Sequence, residues 1–253
     1  VRLYRIASDG GNLEATYRLG CCYENGQGVE KNVEEAVRLY QIASDGGHLH
    51  AIWALGFCYQ SGQGVEKNAK EAVRLYKIAS DGGDLDATFN LGFCYQSGQG
   101  VEKNAKEAIR LYKIASDGGD LDATWVLGCC YQSAQGVEKN AEEAVRLYRI
   151  ATDGGNLAST WVLGFCYEKG EGVEKNLEEA VRLYRIASDG GILNATYKLG
   201  CCYKNGQGVE VNVEEAVRSY RIASNGGDLD ATWALGFCYQ SGQGVEKNVE
   251  EAV

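Results

Sequence analysis

The side chains with the greatest chemical potential in this sequence are ten cysteines, two histidines and a recurring glycine-rich segment. The segment LGFCYQSGQGVEKN at residues 55–68 holds a G-x-G close to a lysine, and it recurs unchanged at 91–104 and 235–248. Glycine-rich loops with a lysine can cradle phosphate groups. Thiols together with His48 and His50 could ligate a metal ion or supply a nucleophile and its base.

The context of these glycines does not support phosphate binding. A Walker A loop needs a G-K pair between a strand and a helix, and no G-K pair occurs in the chain. A dinucleotide-binding fingerprint would need a third glycine and a βαβ setting. The net charge of −10 also disfavours nucleic acid, whose phosphates require clustered lysine and arginine. The sequence therefore predicts no nucleotide cofactor and no nucleic-acid partner.

The spacing of the cysteines and histidines does not fit a metal site or a catalytic pair. The cysteines are adjacent or separated by multiples of 36 residues, give or take one, and adjacent helical side chains point about 100° apart. The two histidines occur in one place only, without a predictable nucleophile. We expect no metal, no cofactor and no enzymatic activity, and we interpret the cysteines as buried packing residues. Ten unpaired thiols favour a reducing, cytoplasmic compartment. The sequence contains no apolar run of 18 residues, so no membrane-spanning helix is predicted.

A 36-residue repeat supplies the elements that must position these residues. The dipeptide Leu-Gly ends at Gly20 and returns every 36 residues as far as Gly236, which gives seven copies. In the first copy, residues 13–25 have the apolar spacing of an amphipathic helix, called helix A from here on. Asn32, with Glu35 three residues later, resembles a capping box that starts a second helix, helix B. The sequence predicts an all-α fold, a right-handed α-solenoid of seven helix-turn-helix repeats.

Several details of each repeat follow from the same pattern. Gly20 in the middle of helix A predicts a close approach of two helices, and the glycines of the A–B linker predict left-handed backbone. Glu34 and Arg38 are predicted to form an exposed ion pair on helix B. The buried face of helix B is predicted to consist of Ala36, Val37, Tyr40 and Ala43. Residues 1–8 and 249–253 look like incomplete B helices, so residues 1–253 are expected to form one array cut from a longer one.

The spacing A-x-x-x-L-G-x-x-Y-x-x-G-x-G-V-x-x-N-x-x-x-A, seen at residues 51–72, resembles the Sel-1-like repeat, a relative of the tetratricopeptide repeat. The resemblance covers nearly the whole chain, with departures at Ala134, Ser159 and Val211. It implies a non-enzymatic interaction scaffold or adaptor that binds a protein or peptide. The alternative is an architectural spacer between fused domains, for example beside a kinase domain. Small-molecule hydrolysis is not expected, because no convergent set of polar groups is evident.

Positions that differ between the copies indicate where a partner would bind. Positions 14, 18, 21 and 25 of the first copy lie on one stripe of helix A, which by resemblance to tetratricopeptide arrays lines the concave face. An aromatic stands on this stripe in every copy and predicts a partner-binding ladder. The ladder consists of Tyr17, Trp53, Phe89, Trp125, Trp161, Tyr197 and Trp233, accompanied by Phe57, Phe93, Phe165 and Phe237. The sequence leaves open whether these aromatics are exposed or packed between neighbouring A helices.

Charged and variable residues beside the ladder suggest the character of the ligand. An acidic rim is predicted at Glu14, Asp86, Asp122 and Asp230. Variable positions that would set specificity are Arg18, Asn90 and Lys198. An aromatic groove with an acidic rim favours a basic peptide, through cation–π and charge contacts. Nothing in the pattern indicates an oligomeric state.

Overall fold

The computed structural model describes residues 1–252, which contain fourteen α-helices and no strand. The predicted all-α architecture of paired helices is therefore confirmed. The B helices are α1 (Arg2–Asp9), α3 (Val33–Asp45), α5 (Ala69–Asp81), α7 (Ala105–Asp117), α9 (Ala141–Asp153), α11 (Leu177–Asp189) and α13 (Val213–Asn225). The A helices are α2 (Leu13–Asn25), α4 (Leu49–Ser61), α6 (Leu85–Ser97), α8 (Leu121–Ser133), α10 (Leu157–Lys169), α12 (Leu193–Asn205) and α14 (Leu229–Ser241).

The chain divides into two compact units, and the boundary falls inside α8. Unit 1 comprises Val1–Ala123, and unit 2 begins at Thr124. Within unit 1, helices α1 to α7 pack in chain order, each against the next. Within unit 2, helices α9 to α14 do the same. No helix in the described part of the chain is both long and apolar enough to cross a membrane.

Both helices of a repeat begin at a side-chain cap, as the sequence predicts for helix B. Asn32 Oδ1 accepts a hydrogen bond from the Glu35 amide at 2.9 Å. The A helices use a different cap, for example Asn12, whose Oδ1 accepts from the Ala15 amide at 2.8 Å. Such a cap satisfies one of the unpaired amides at a helix start. Ile192, at the start of α12, supplies no side-chain cap.

The ion pair predicted between Glu34 and Arg38 on helix B is wrong, because Arg38 has a different partner. Arg38 forms a two-point contact with Glu35, at 2.7 and 2.8 Å, and not with Glu34. The Glu35 carboxylate is available because the capping box is only half formed: the Asn32 amide donates to the carbonyl of Tyr23 instead. The forked guanidinium matches this carboxylate with two parallel hydrogen bonds.

Close packing between the helices of a repeat depends on the mid-helix glycine, as predicted. A Cβ placed on Gly20 would lie 2.6 Å from Cε1 of Tyr40, whose ring is fully buried. The predicted buried face needs one correction, since Val37 is only half-buried while Leu39 is buried. Leu39 lies three residues after Ala36 and four before Ala43, so it belongs to the buried face of α3.

The linker glycines adopt left-handed backbone and join neighbouring repeats. Gly64 has a φ of +67°, and a Cβ there would lie 2.5 Å from the carbonyl oxygen of Val33, at the start of the preceding helix B. Ala134, which replaces a linker glycine, has a φ of 57° and is the one non-glycine with positive φ among the described residues. The linker is thus both a turn within its own repeat and a contact with the repeat before it.

The last residues do not continue the pattern. Residues 249–252 form turns rather than the first turn of a helix B, and Val253 lies outside the described residues. So few residues cannot nucleate a helix, because the first hydrogen-bonded turn is costly to form.

Candidate functional site

The predicted ladder aromatics of unit 1 lie at the junctions between repeats. Tyr17 stacks on His48, which starts the next helix A, with ring centroids 5.1 Å apart. Trp53 and Phe57 are neighbours on α4, with centroids 6.5 Å apart. Tyr17 and Trp53 are both half-buried and pack against the buried core of the unit.

In unit 2 the tryptophans show what covers the ladder. Trp161 is half-buried and packs against buried residues of α11, the helix B of its own repeat, and of α12, the next helix A. Trp233 has neither a helix B nor a further helix A after it in the described residues, and it is 74 % exposed. Helices α10 and α14 have similar local sequences around their tryptophans, so the difference comes from the helices that follow, which are helix B of the same repeat and helix A of the next. At Trp161 this ladder position packs both within its own repeat and against the next.

The indole nitrogens of the covered tryptophans have no acceptor. Nε1 of Trp53, Trp125 and Trp161 is buried and finds no hydrogen-bond partner within residues 1–252. A buried, unpaired donor costs free energy, so these rings are retained for their apolar contact area. Substituting them would disturb packing between repeats as well as any bound partner.

Three phenylalanines beside the ladder, Phe57, Phe93 and Phe237, are exposed, whereas Trp53, Trp125 and Trp161 are half-buried. In unit 1, Phe57 is 40 % exposed and Phe93 is 42 % exposed. In unit 2, two lysines cover Phe165: Nζ of Lys169 lies 5.5 Å and Nζ of Lys198 lies 5.6 Å from its ring centroid. Lysine and arginine heads within about 6 Å of an aromatic ring are attracted by its quadrupole.

The acidic rim is only partly brought together. Asp86 and Asp122 both lie in unit 1 and are close enough for their charges to interact. Burial, followed by the charges of Asp84 and Asp120, raises the pKa of the Asp86 carboxyl, while His50 opposes the shift. This carboxylate cluster would gain from a nearby cation. Asp230 is exposed on α14 in unit 2.

Glu14 and the predicted specificity positions already have partners within the chain. Hydrogen bonds from His48 and then Arg18 lower the pKa of the Glu14 carboxyl. Arg18 Nε lies 2.6 Å from Glu14, and its guanidinium lies 5.6 Å from the centroid of Tyr17. Asn90 donates to the carbonyl of Asp86 at 3.0 Å.

The thiols lie in the helix interfaces and are poorly suited to chemistry. Burial raises the pKa of Cys94, Cys130, Cys166 and Cys202 to about 11, far from the range of reactive thiolates. All ten cysteines are free of disulfides. No group of histidine, cysteine and carboxylate side chains in the described residues could hold a metal ion.

Sequence reasoning missed two features of the surface. Ile42, which is identical in all copies and which we interpret from the sequence as a packing residue, is 44 % exposed, so that interpretation is wrong. Position 24 is the second: Glu24 accepts a hydrogen bond from the buried hydroxyl of Tyr40 at 2.8 Å. The only sequence signal for this contact is a tyrosine sixteen residues later in each of the first six copies.

The paired helices and their packing define a helical-repeat protein of the SLR fold. A profile of the Sel1 repeat matches residues 13–48, 49–84, 85–120, 121–156, 158–192, 193–228 and 229–253. The chain belongs to the Sel1 repeat family. The predicted resemblance is thereby confirmed over seven repeats.

Solved structures agree with this assignment. A protective antigen of uropathogenic Escherichia coli with an SLR fold is 29 % identical, with a TM-score of 0.84; the match covers 98 % of this chain and 54 % of the antigen. The chain thus spans about half the length of that antigen. A Sel1 repeat protein from Oxalobacter formigenes is 32 % identical, with a TM-score of 0.77, over 84 % of this chain and 85 % of the relative.

A more distant structure shows the fold alone. An immunity protein from Pseudomonas aeruginosa is 21 % identical, with a TM-score of 0.55, over 84 % of this chain and 81 % of that protein. Among curated proteins, a sequence comparison finds no match.

Proposed function

We propose that this Sel1 repeat protein is a non-enzymatic scaffold that binds a basic segment of a partner protein on the helix A surface of unit 1. The observation that carries the proposal is the exposure of Phe57 and Phe93 in the unit that also holds Asp86 and Asp122. Neither phenylalanine ring is covered by a lysine or arginine within residues 1–252. A cation-bearing partner would therefore find exposed aromatic faces and a carboxylate cluster on the A helices of the same unit.

The chain's own contacts support this choice of ligand. Phe165 receives two lysines, and Phe237 receives Lys204, whose Nζ lies 4.6 Å from the ring centroid. The phenylalanine position of helix A thus accepts ammonium groups where the sequence supplies them. In unit 1 the chain supplies none, so the same position is open to a partner.

The half-buried tryptophans make poor test positions, because their substitution would loosen the packing between repeats. The exposed phenylalanines are better, and exposed isoleucines on the B helices offer a matched control. Ile78 and Ile114 are 43 % and 44 % exposed, close to the values for Phe57 and Phe93.

The test is selection of peptides from a random displayed library on the immobilised protein, followed by affinity measurement on the selected peptides. We expect selected peptides to contain lysine or arginine. The double variant F57A/F93A should bind them about tenfold more weakly, since two cation–π contacts are lost. The control I78A/I114A should bind as the wild type does. Selection of peptides without basic residues, or equal affinity for both double variants, would contradict the proposal.

A further inference from the structure

Position 24 of each repeat holds a side chain that reaches toward the following repeat. In the first repeat, Tyr40 donates to Glu24 at 2.8 Å, and in the second, Tyr76 donates to Gln60 at 2.7 Å. Nε2 of Gln60 lies 4.0 Å from Sγ of Cys94 on the next helix A. The buried tyrosine thus fixes this side chain against the neighbouring repeat.

Unit 2 contains two internal lysine contacts built from this position. Where position 24 is a lysine, Lys204, its Nζ sits 4.6 Å from the ring centroid of Phe237, in the next repeat. Where position 24 is a glutamate, Glu168, its carboxylate lies 2.9 Å from Lys169 and 3.4 Å from Lys198. Position 24 therefore takes part in a lysine contact in both cases. Lys204 supplies the ammonium group itself, whereas Glu168 supplies the carboxylate that binds the ammonium groups of two other lysines.

The junction between the first and second repeats has the carboxylate of one of these contacts and the aromatic ring of the other, but no lysine. Glu24 is the carboxylate, and Phe57 is the counterpart of Phe237. The positions of Lys169 and Lys198 are taken by Asn25 and Ala54, which are neutral. Within residues 1–252, Glu24 makes no ion pair and its one side-chain partner is the hydroxyl of Tyr40.

Electrostatic effects on the neighbouring thiols show that Glu24 and Lys204 occupy corresponding places. Burial and then the charge of Glu24 raise the pKa of Cys58 to about 12. Burial also raises the pKa of Cys238, but there the charge of Lys204 opposes the rise. Each side chain acts on the thiol that follows the phenylalanine of the next repeat.

We propose that Glu24 and Phe57 form a binding site for the ammonium group of a lysine side chain of the partner. The proposal rests on the proposed function, because it assigns one position within the helix A surface of unit 1. The carboxylate would pair with the ammonium group as Glu168 pairs with Lys198. The ring would contact it as Phe237 contacts Lys204.

The site can be observed directly, because the chain contains only five phenylalanines. The protein is labelled with 4-fluorophenylalanine, and each fluorine resonance is assigned by single Phe→Leu variants. The probe is a synthetic peptide of alternating lysine and serine. Its control is the same peptide with every lysine acetylated. We expect the lysine peptide to shift the Phe57 resonance in a saturable way, and the acetylated peptide to leave it in place.

Matched variants separate this site from general charge attraction. E24Q should weaken peptide binding about fivefold, since it removes the carboxylate and keeps the hydrogen bond from Tyr40. E168Q removes the same charge from a carboxylate that Lys169 and Lys198 of the chain already bind, and it should leave the peptide affinity unchanged. A54K copies Lys198 and should shift the Phe57 resonance without peptide and reduce peptide binding.

Three results would overturn the assignment: no peptide binding, binding that does not move the Phe57 resonance, or equal loss of affinity in E24Q and E168Q. None of these bears on the scaffold itself, which is tested by peptide selection with F57A/F93A. If selected peptides bind the phenylalanine-dependent surface while E24Q has no effect, the scaffold stands and the lysine site fails.

Discussion

A methyl group added at Gly56 tests how closely the two helices of a repeat must approach. A Cβ at this position would lie 2.8 Å from Cε1 and 3.0 Å from Cδ1 of Tyr76. The Tyr76 ring is fully buried, and its hydroxyl donates to Gln60 at 2.7 Å, so it cannot turn away without losing that bond. Overpacking of this kind costs about 1–3 kcal/mol, while replacing a mid-helix glycine by alanine gains about 1 kcal/mol. We expect G56A to lower the local free energy of unfolding by about 1 kcal/mol.

The seventh repeat supplies a control for which the expected change in the free energy of unfolding has the opposite sign. Gly236 occupies the same helix position, but the nearest atom to an added Cβ is the carbonyl oxygen of Ala252, at 3.5 Å. This distance is an ordinary contact, so G236A should keep the helix-propensity gain and stabilise α14 by up to about 1 kcal/mol. The two substitutions are chemically identical and differ only in whether a tyrosine ring stands opposite.

Amide hydrogen exchange under native conditions is the appropriate measurement. Repeat arrays do not unfold in a single step, so a global midpoint would mix the stabilities of several repeats. Exchange of the α4 and α5 amides reports on G56A, and exchange of the α14 amides reports on G236A. Slower exchange in both variants would refute the reasoning, because it would mean that the buried tyrosine does not limit the approach of helix A.

Three further outcomes are expected. A134G should raise the local free energy of unfolding around α8 and α9 by about 0.5–1 kcal/mol, measured by native-state amide exchange, because glycine adopts a φ of 57° without the steric cost that alanine has there; faster exchange of these amides would contradict this. Burial raises the pKa of Cys58 to about 12 and of Cys94 to about 11, so both should resist a disulfide reagent at about pH 8 until urea unfolds the chain, and equal rates before and after unfolding would argue against it. The hydrogen bond from Arg74 lowers the pKa of Glu71, so the stability from this pair is present above pH 4.5 and is lost as the pH falls below that value. E71Q should reduce that acid-dependent loss by a few tenths of a kcal/mol, as measured by circular dichroism.

The helices are predictable from the sequence because each copy carries its own boundaries. The helix predicted for residues 13–25 has those bounds in the structure, and Gly20 approaches Tyr40 as its mid-helix position implies. Capping residues and turn glycines act locally, so a single copy contains the information that fixes them.

The surface was less predictable because its exposure depends on neighbours that a single helix does not specify. Trp161 and Trp233 have nearly the same local sequence, yet Trp161 is covered by the two helices that follow it, and Trp233 has no helix after its own in the described residues. Identity between copies was also a poor guide to burial. Ile42 and Arg38 are the same in every copy that contains them, and both are exposed. Arg38 pairs with the Glu35 carboxylate, which the half-formed capping box leaves free.

The contact between Gly64 and the start of the previous helix B limits how such a gene can change length. One linker residue serves both a turn and a joint, so inserting or deleting a single residue there would misalign two repeats at once. Duplication or loss of a whole 36-residue segment leaves every such joint intact. The array is therefore expected to grow or shrink by whole repeats, while point substitutions at positions such as 24 change what each repeat offers to a partner.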